Sequence, residues 1–365
     1  MRAVGEFSGF AAERSRSRAA PCGTLPARMV EQDARSLIGA VGDGRYRIEK
    51  LLGEGSVGAV YRAVDEESGQ VVALKQWHAG MLNDEIRGRF MREARALATL
   101  DHPNIVKVVG HGFVGGVPYV VLEYLEGETV EALLRGGKPI DPELAFELMR
   151  QALAGIAYAH AQHVVHRDLK PENIFVMRDA NKRPVVKILD YGLAKFMSLE
   201  HSSSSAQTPL TAAGMMIGTP LYMPPEQAAG SSVDLQVDVY SMGCVLFEML
   251  SGRPPFLAES NVELFNAHLR APIPKLAEAL DGAQVAPELQ ALIERAMAKK
   301  QTERFPNAGA MLQALTQLPA PSIISAAAVP HEADDPEEAS AVGAWAIVSV
   351  LLALGALGLF MLRAC

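Results

Sequence analysis

The most informative stretch of this chain is His166–Asn173, with the sequence HRDLKPEN. Asp168 is suited to accept the proton of a hydroxyl group and to orient that hydroxyl. Lys170 can neutralise a phosphoryl group in transfer, and Asn173 offers an oxygen ligand to magnesium. A second carboxylate, Asp190, follows an apolar strand-like run and is the main candidate for a magnesium ligand. The segment therefore predicts a phosphate-handling site.

A glycine-rich pattern, GxGxxGxV, occupies residues 53–60. By itself the pattern is weak, because dinucleotide-binding folds carry the same glycines. In those folds the glycines open a helix, whereas a strand-like run, Ala59–Ala63, follows here. We therefore expect a β-hairpin whose glycine tip lets backbone N–H groups approach phosphates, with Val60 over the adenine.

Lys75 ends an apolar strand-like run, Val71–Lys75. A lysine in such a place is expensive to bury without a partner, so it requires anions. Phosphate groups of a ligand and a carboxylate of the protein could both be partners of Lys75. Glu93 lies on the next segment, whose apolar residues recur at helical spacing, and we expect it to pair with Lys75.

These motifs, in this order, resemble those of eukaryotic-type (Hanks-type) Ser/Thr protein kinases, and most closely those of bacterial receptor-like Ser/Thr kinases. The resemblance covers about residues 46–318. It implies transfer of the γ-phosphoryl group of ATP to Ser/Thr hydroxyls of proteins, with Mg²⁺, or Mn²⁺ in its place, as the metal. By this resemblance the catalytic residues are Asp168, Lys170, Lys75 and Glu93, and the metal ligands are Asn173 and Asp190.

The resemblance also assigns the residues around the nucleotide. ATP would be bound by the glycine hairpin, the lysine strand and a hinge segment: Leu52, Gly53, Gly55, Gly58, Val60, Ala73, Lys75, Glu123 and Leu125. The hinge would bind adenine through its backbone, beside Leu122 as the gatekeeper residue. Structural or regulatory roles would fall to His166, Arg167, Tyr191, Gly192, Glu226, Asp238 and Arg304.

Three of these supporting residues carry specific expectations. By the resemblance, Arg304 pairs with Glu226, and Asp238 braces the catalytic loop. Tyr191 stands where the family usually has Phe, and its hydroxyl must find a partner if it is buried.

Acceptor choice and regulation are also implied by the resemblance. Lys170 and Thr219, in the substrate-binding loop, favour Ser/Thr over Tyr acceptors. Thr208 and Thr211 lie nearest to the positions that are phosphorylated in similar bacterial kinases, and autophosphorylation could proceed through a homodimer. A phosphothreonine could then bind the Arg167 guanidinium through two hydrogen bonds. The nearby serine run is equally compatible with a flexible linker.

The expected fold is α+β and bilobal. Residues 45–125 would form a small lobe of five strands with one main helix, together with the hinge, and residues 126–318 a larger helical lobe. Residues 1–44 are expected to be a disordered extension, and residues 319–340 a linker rich in proline and acidic residues.

The segment 341–362 is uncharged throughout. Its 22 residues would span about 33 Å as a helix, enough for a hydrocarbon core of about 30 Å. A buried core helix is the alternative. We expect a single-pass anchor in the cell membrane with the kinase domain in the cytoplasm. Arg363 argues for the opposite orientation, but one arginine is a slight bias and a kinase needs ATP.

Composition excludes several classes of function. A formal net charge of −8 argues against a nucleic-acid partner, which needs a basic surface. The three cysteines form no CxxC or Cys/His cluster, so neither a zinc site nor a disulfide framework is indicated. Two alternatives to a protein kinase are a pseudokinase scaffold and a small-molecule phosphotransferase. The presence of Lys75, Asp168 and Asp190 opposes the first, and the long segment before Pro225–Glu226 opposes the second.

Overall fold

The N-terminal lobe is built on one antiparallel sheet. The computed structural model describes residues 38–39, 41–42, 44–55, 58–78, 84–114, 116–191, 220–231, 233–318 and 324–325. The strands of this sheet are β1 (Val41–Gly42), β2 (Tyr46–Glu54), β3 (Gly58–Asp65), β4 (Val71–Trp77), β5 (Val108–Val114) and β6 (Val117–Glu123). Their order is β1-β2-β3-β4-β6-β5.

The sheet has six strands, so the prediction of five was wrong by one. The additional strand, β1, pairs with Tyr46 and Arg47 at the edge of the sheet. It lies inside the segment that was expected to be disordered. Two residues are too few to produce a recognisable alternation, so the sequence pattern could not indicate this strand.

A single long helix, α1 (Asp84–Ala98), packs on this sheet. Its apolar residues Phe90, Ala94 and Leu97 recur at helical spacing and are buried. The Phe90 ring meets Trp77 of β4 edge-on, with ring centroids 5.4 Å apart. This packing fixes the face that α1 presents to the lysine strand.

The C-terminal lobe is mainly helical. Its helices are α2 (Val130–Leu133), α3 (Pro142–Ala161), α4 (Pro225–Ala228), α5 (Gln236–Ser251), α6 (Asn261–Arg270), α7 (Leu276–Ala279), α8 (Pro287–Ala296) and α9 (Ala308–Thr316). A small antiparallel sheet contains β7 (Gly127–Thr129), β8 (Ile174–Arg178) and β9 (Pro184–Ile188). Nearly every residue of α5 is buried, so this helix forms the centre of the lobe.

Local signals set the helix ends. The Asp141 side chain accepts a hydrogen bond from the Leu144 amide, and Pro142 occupies the first turn of α3, as expected for a helix start. Gly252 ends α5 with a φ of 74°, the left-handed conformation that glycine adopts without strain. These two helices carry the groups that brace the catalytic loop.

Part of the predicted linker takes part in a strand pair. β11 (Ile324–Ser325) pairs with β10 (Gln284–Val285) in antiparallel fashion. The segment 341–362, predicted to span a membrane, lies outside the described residues. Among the helices that the structure describes, none has both the length and the apolar character needed to cross a bilayer.

Candidate active site

The catalytic loop is held by one buried carboxylate, Asp238 of α5. Its Oδ2 accepts the backbone N–H of His166, and its Oδ1 accepts that of Arg167, both at 2.8 Å. The Nε2 of His160, on α3, donates to Oδ2 at 2.8 Å. Burial alone would raise the pKa of Asp238, but the hydrogen bond and charge of His160 hold it below its usual value. Asp238 therefore stays ionised and bound to three donors.

His166 connects the loop held by Asp238 to the segment that follows β9 and carries Asp190. Its Nε2 donates to the Leu189 carbonyl at 2.7 Å, and its Nδ1 accepts the Asp168 amide at 3.3 Å. Burial lowers the pKa of His166, so the ring is neutral and can serve as donor and acceptor at once. The neighbouring Arg167 has a φ of 65°, a conformation that non-glycine residues rarely adopt. The loop is thus fixed in a locally strained shape.

Asp168, Lys170 and Asn173 come together as the sequence predicts. The Lys170 Nζ lies 3.3 Å from Asp168 Oδ2. The Asn173 Nδ2 donates to the Asp168 carbonyl at 2.7 Å and approaches Asp168 Oδ2 at 3.3 Å. Both side-chain contacts fall on one carboxylate oxygen, which fixes the orientation of the carboxylate. Burial acts to lower the pKa of Lys170, but the Asp168 and Glu172 carboxylates outweigh it and the pKa is raised.

Lys75 pairs with a carboxylate other than the predicted one. Its Nζ lies 2.7 Å from Asp190 Oδ2. Glu93, which the structure also describes, is half-buried on α1, and the ion pairs of the described residues do not include one between Glu93 and Lys75. The pairing of Lys75 with Glu93 therefore stays a prediction, and Asp190 is the partner that this structure shows. Glu93 flanks the face of α1 that packs on the sheet, whereas Asp190 lies two residues after the end of β9 and pairs with Lys75.

The wall of the nucleotide site is formed by three neighbouring strands. On β3 and β4, Val60 lies opposite Lys75. On β4 and β6, Ala73 lies opposite Leu122, and the next residue of β6 is Glu123. A cavity of about 20 Å³ behind this wall is lined by Lys75, Leu122 and Asp190 among others. The predicted adenine-facing and phosphate-facing residues thus share one side of the cleft.

The hairpin between β2 and β3 requires glycine at position 58, the first residue of β3. The Gly55 amide donates to the Gly58 carbonyl at 2.9 Å. A Cβ added at Gly58 would come within 2.2 Å of the Gln76 carbonyl oxygen on β4. No side chain fits in that space, so the hairpin can lie this close to the lysine strand only because position 58 is glycine.

The hydroxyl of Tyr191 has no hydrogen-bond partner among the described residues. The ring is buried, with 4% of its surface exposed, and packs at a tilt against the His166 ring, with a centroid distance of 4.6 Å. The expectation that a buried Tyr191 hydroxyl would find a partner was therefore wrong. Burial raises the pKa of this phenol well above its usual value, so it remains protonated. A buried hydroxyl without a partner costs about 1–3 kcal/mol.

A buried ion pair ties the end of the substrate-loop region to the helical lobe. Arg304 donates through two nitrogens to the Glu226 carboxylate, at 2.7 and 2.8 Å, as the sequence predicts. The Arg304 side chain is 0% exposed and also donates to the Ala298 carbonyl at 2.6 Å. Nearby, the Tyr240 hydroxyl donates to Nδ1 of the buried His268 at 2.9 Å. These buried contacts hold the Glu226 segment against the helical lobe.

Two contributors were not identified from the sequence. His160 has no motif of its own, and only its packing against α5 reveals the bond to Asp238. Lys187 pairs with Glu123 at 2.7 Å, although the prediction for Glu123 concerned its backbone alone. Four predicted residues lie outside the described part of the chain: Gly192, Thr208, Thr211 and Thr219.

The chain is similar to known protein kinases in sequence. The family model described as protein kinase domain matches residues 46–316. A probable serine/threonine-protein kinase of Streptomyces coelicolor is 37% identical over 273 residues, covering 73% of this chain and 39% of that protein. The serine/threonine-protein kinase PknB of Mycolicibacterium smegmatis is 37% identical over 273 residues, covering 73% of this chain and 42% of PknB. The chain thus spans about two-fifths of the length of these relatives.

A solved structure shares the fold. The kinase domain of PknI from Mycobacterium tuberculosis, crystallised as a double mutant, superposes with a TM-score of 0.58 at 22% identity. The match covers 76% of this chain and 96% of that domain. At this identity the likeness concerns the fold alone.

Proposed function

This chain belongs to the protein kinase family, and we propose that it is an active Ser/Thr protein kinase that transfers the γ-phosphoryl group of ATP to protein hydroxyls. The kinase fold and the resemblance to bacterial Ser/Thr kinases, both predicted from the sequence, are confirmed. The observation that carries the proposal is the ion pair of 2.7 Å between Lys75 and Asp190. It joins the proposed phosphate-binding strand, β4, to Asp190, the proposed metal ligand that follows β9 in the other lobe.

In the mechanism that this geometry supports, Asp168 accepts the proton of the acceptor hydroxyl as that oxygen attacks the γ-phosphorus, while the bond from the γ-phosphorus to the bridging oxygen breaks and ADP leaves. Lys170, beside Asp168, neutralises charge on the group in transfer. Lys75 binds the phosphates of ATP, and the backbone of the hinge binds adenine. The pseudokinase alternative is not favoured, because none of these groups is missing from the chain.

The metal site is proposed to take Mg²⁺. Asp190 supplies a carboxylate and Asn173 an amide oxygen, which are the hard ligands that Mg²⁺ prefers. The Asn173 Nδ2 donates to the Asp168 carbonyl, so its Oδ1 is the atom available as a ligand. When bound, the metal neutralises the phosphate oxygens and helps to position them. Mn²⁺ has the same ligand preference and would also fit.

The acceptor type can be tested directly. The purified chain is incubated with Mg·ATP and a generic basic protein, and the phosphorylated residues are identified by mass spectrometry. We expect phosphoserine and phosphothreonine, and no product above background with the Asp168→Asn variant. Phosphotyrosine as the main product would overturn the Ser/Thr assignment, and product formation on a small molecule alone would favour the small-molecule alternative.

Regulation by autophosphorylation is proposed for Thr208 and Thr211, with Arg167 as the cation that binds the phosphate and a homodimer as the phosphorylating pair. The support is that Arg167 adjoins Asp168 and that a phosphate would bring charge of about −1.5 to −2. Mass spectrometry of active protein should find phosphate at these threonines and none in the Asp168→Asn variant. Fully active protein that carries no phosphate between residues 190 and 226 would contradict this mechanism.

A membrane tether is proposed for residues 341–362, with the kinase domain in the cytoplasm. The support is the uncharged composition and sufficient length of this segment. A charged residue at the centre of such a helix costs about 2.5–3.5 kcal/mol on insertion scales. Leu352→Arg combined with Leu354→Arg should therefore release the chain from the membrane fraction. Recovery of the unsubstituted chain in the soluble fraction would overturn the tether. Digestion of its kinase domain by protease added to intact cells would overturn the orientation.

A further inference from the structure

The side chain of Glu123 lies where the two lobes meet. Glu123 is the last residue of β6 and is 30% exposed. Its Oε1 accepts the backbone N–H of Lys107 at 2.8 Å and the Nζ of Lys187 at 2.7 Å. The backbone N–H of Glu123 in turn donates to the Lys107 carbonyl at 3.0 Å. One carboxylate thus connects the start of the hinge to a strand of the C-terminal lobe.

Lys187 lies on β9, the strand that leads to the metal ligand. It is 14% exposed, and its Nζ also approaches the Ile105 carbonyl at 3.4 Å. The same strand is joined to the loop before β5, because the Ile188 amide donates to the Asn104 carbonyl at 2.9 Å. After Ile188 only Leu189 intervenes before Asp190. A displacement of Lys187 along the strand would therefore move Asp190 with it.

We propose that Glu123 and Lys187 form a positioning pair, which holds the adenine-binding backbone of the hinge at a fixed distance from the metal-binding end of β9. The pair would make the two halves of an ATP molecule fit their subsites at the same time. This role rests on the proposed function, since it concerns the same nucleotide site. Neither side chain touches the reacting atoms, so both act through the groups that they position.

The environment of the pair supports this role over that of an ordinary surface contact. An ion pair that is largely shielded from water interacts more strongly and is less screened by salt. A contrasting pair, Arg183 with Asp179, lies on the turn just before β9 at 2.9 Å, and its arginine is 73% exposed. Both partners of that pair belong to one turn of one lobe, so it cannot set the distance between lobes.

The test compares a ligand that occupies one subsite with a ligand that spans both. Dissociation constants for adenosine and for Mg·ATP are measured by calorimetry or competition binding on the full chain. In Lys187→Met, we expect Mg·ATP to bind about 10-fold more weakly, within the usual range of coupling between sites, while adenosine binding changes by less than about 2-fold. Lys187→Arg, which keeps the charge, should restore Mg·ATP binding.

Two further variants keep the test decisive. Glu123→Gln should give the same loss for Mg·ATP, and combining it with Lys187→Met should add little, because both remove one interaction. Arg183→Gln is the matched control and should leave both dissociation constants unchanged. Equal losses for adenosine and Mg·ATP, or no loss for Mg·ATP in either single variant, would overturn the positioning role. These equilibrium measurements need no turnover, so they separate a failure of this proposal from a failure of the proposed function.

Discussion

Three aspartates at or near the catalytic loop fall into two groups that differ in exposure and in role. The Asp238 side chain is 1% exposed and accepts hydrogen bonds from three donors. The Asp168 and Asp190 side chains are each 35% exposed and lie beside the ammonium groups of Lys170 and Lys75. The buried group shapes the loop, whereas the two cleft carboxylates retain contact with solvent, from which substrate and metal arrive. Burial with full hydrogen bonding therefore distinguishes the structural carboxylate, Asp238, from the two carboxylates proposed to take part in catalysis.

The largest expected effect concerns the scaffold. Arg304→Met would leave the buried Glu226 carboxylate without its cation, and breaking a buried pair in this way costs about 3–5 kcal/mol of unfolding free energy. Lys300→Met is the control, because the pair of Lys300 with Glu303 is exposed at both ends and should contribute less than about 1 kcal/mol. Both are measured by chemical denaturation. Equal stability of the two variants would remove the distinction between the buried and exposed groups.

A somewhat smaller effect is expected in the cleft, and on catalysis instead of stability. Asp190→Asn should lower turnover by at least about 10²-fold, the usual loss for one group that stabilises a transition state. Because Asp190 is also the proposed metal ligand, the variant should bind Mg·ATP more weakly, as measured by calorimetry. Its unfolding free energy should change little, since the side chain is partly exposed. Unaltered Mg·ATP binding would argue against Asp190 as the metal ligand.

The smallest of the three effects is a pH dependence of the scaffold. Burial, with the charge of Lys299, lowers the pKa of His268 to about 4, against about 6.5 in an unfolded chain. Protonation therefore favours the unfolded state, so this contribution to stability is complete above about pH 6.5 and is lost as the pH falls towards 4.

At pH 5 the loss attributable to His268 should be about 2 kcal/mol relative to pH 7. His268→Gln carries no titrating group and should show a flatter dependence of unfolding free energy on pH between 7 and 5. The measurement is denaturant unfolding at a series of pH values. Parallel curves for the unsubstituted chain and the variant would show that His268 does not titrate in this way.

The sequence predicted well the groups that lie close together along the chain. Asp168, Lys170 and Asn173 occupy one short segment, so their proximity in space follows from local structure. The partner of Lys75 could not be predicted in this way, because the choice between Glu93 and Asp190 depends on how α1 and β9 are placed across the cleft. The pairing of Glu123 with Lys187 was missed for the same reason, since 64 residues separate them.

The contacts that support the catalytic loop show the same limit. The bond of His160 to Asp238 depends on the packing of α3 against α5, and a histidine in an apolar helix gives no sign of its partner. The Tyr191 hydroxyl was expected to follow the general rule that buried polar groups are paired. The ring instead packs on His166 in a position where the hydroxyl meets no partner among the described residues. Such exceptions are set by packing, which no local pattern encodes.

The central claim, that the cleft carboxylates perform chemistry while the buried one holds the loop, is tested most directly with Asp168→Asn. Phosphoryl transfer to a protein substrate, Mg·ATP affinity and unfolding free energy are measured on the same preparation. We expect transfer to fall by at least about 10²-fold, with the other two quantities unchanged. Transfer close to that of the unsubstituted chain, or a loss of transfer explained by unfolding, would contradict the claim.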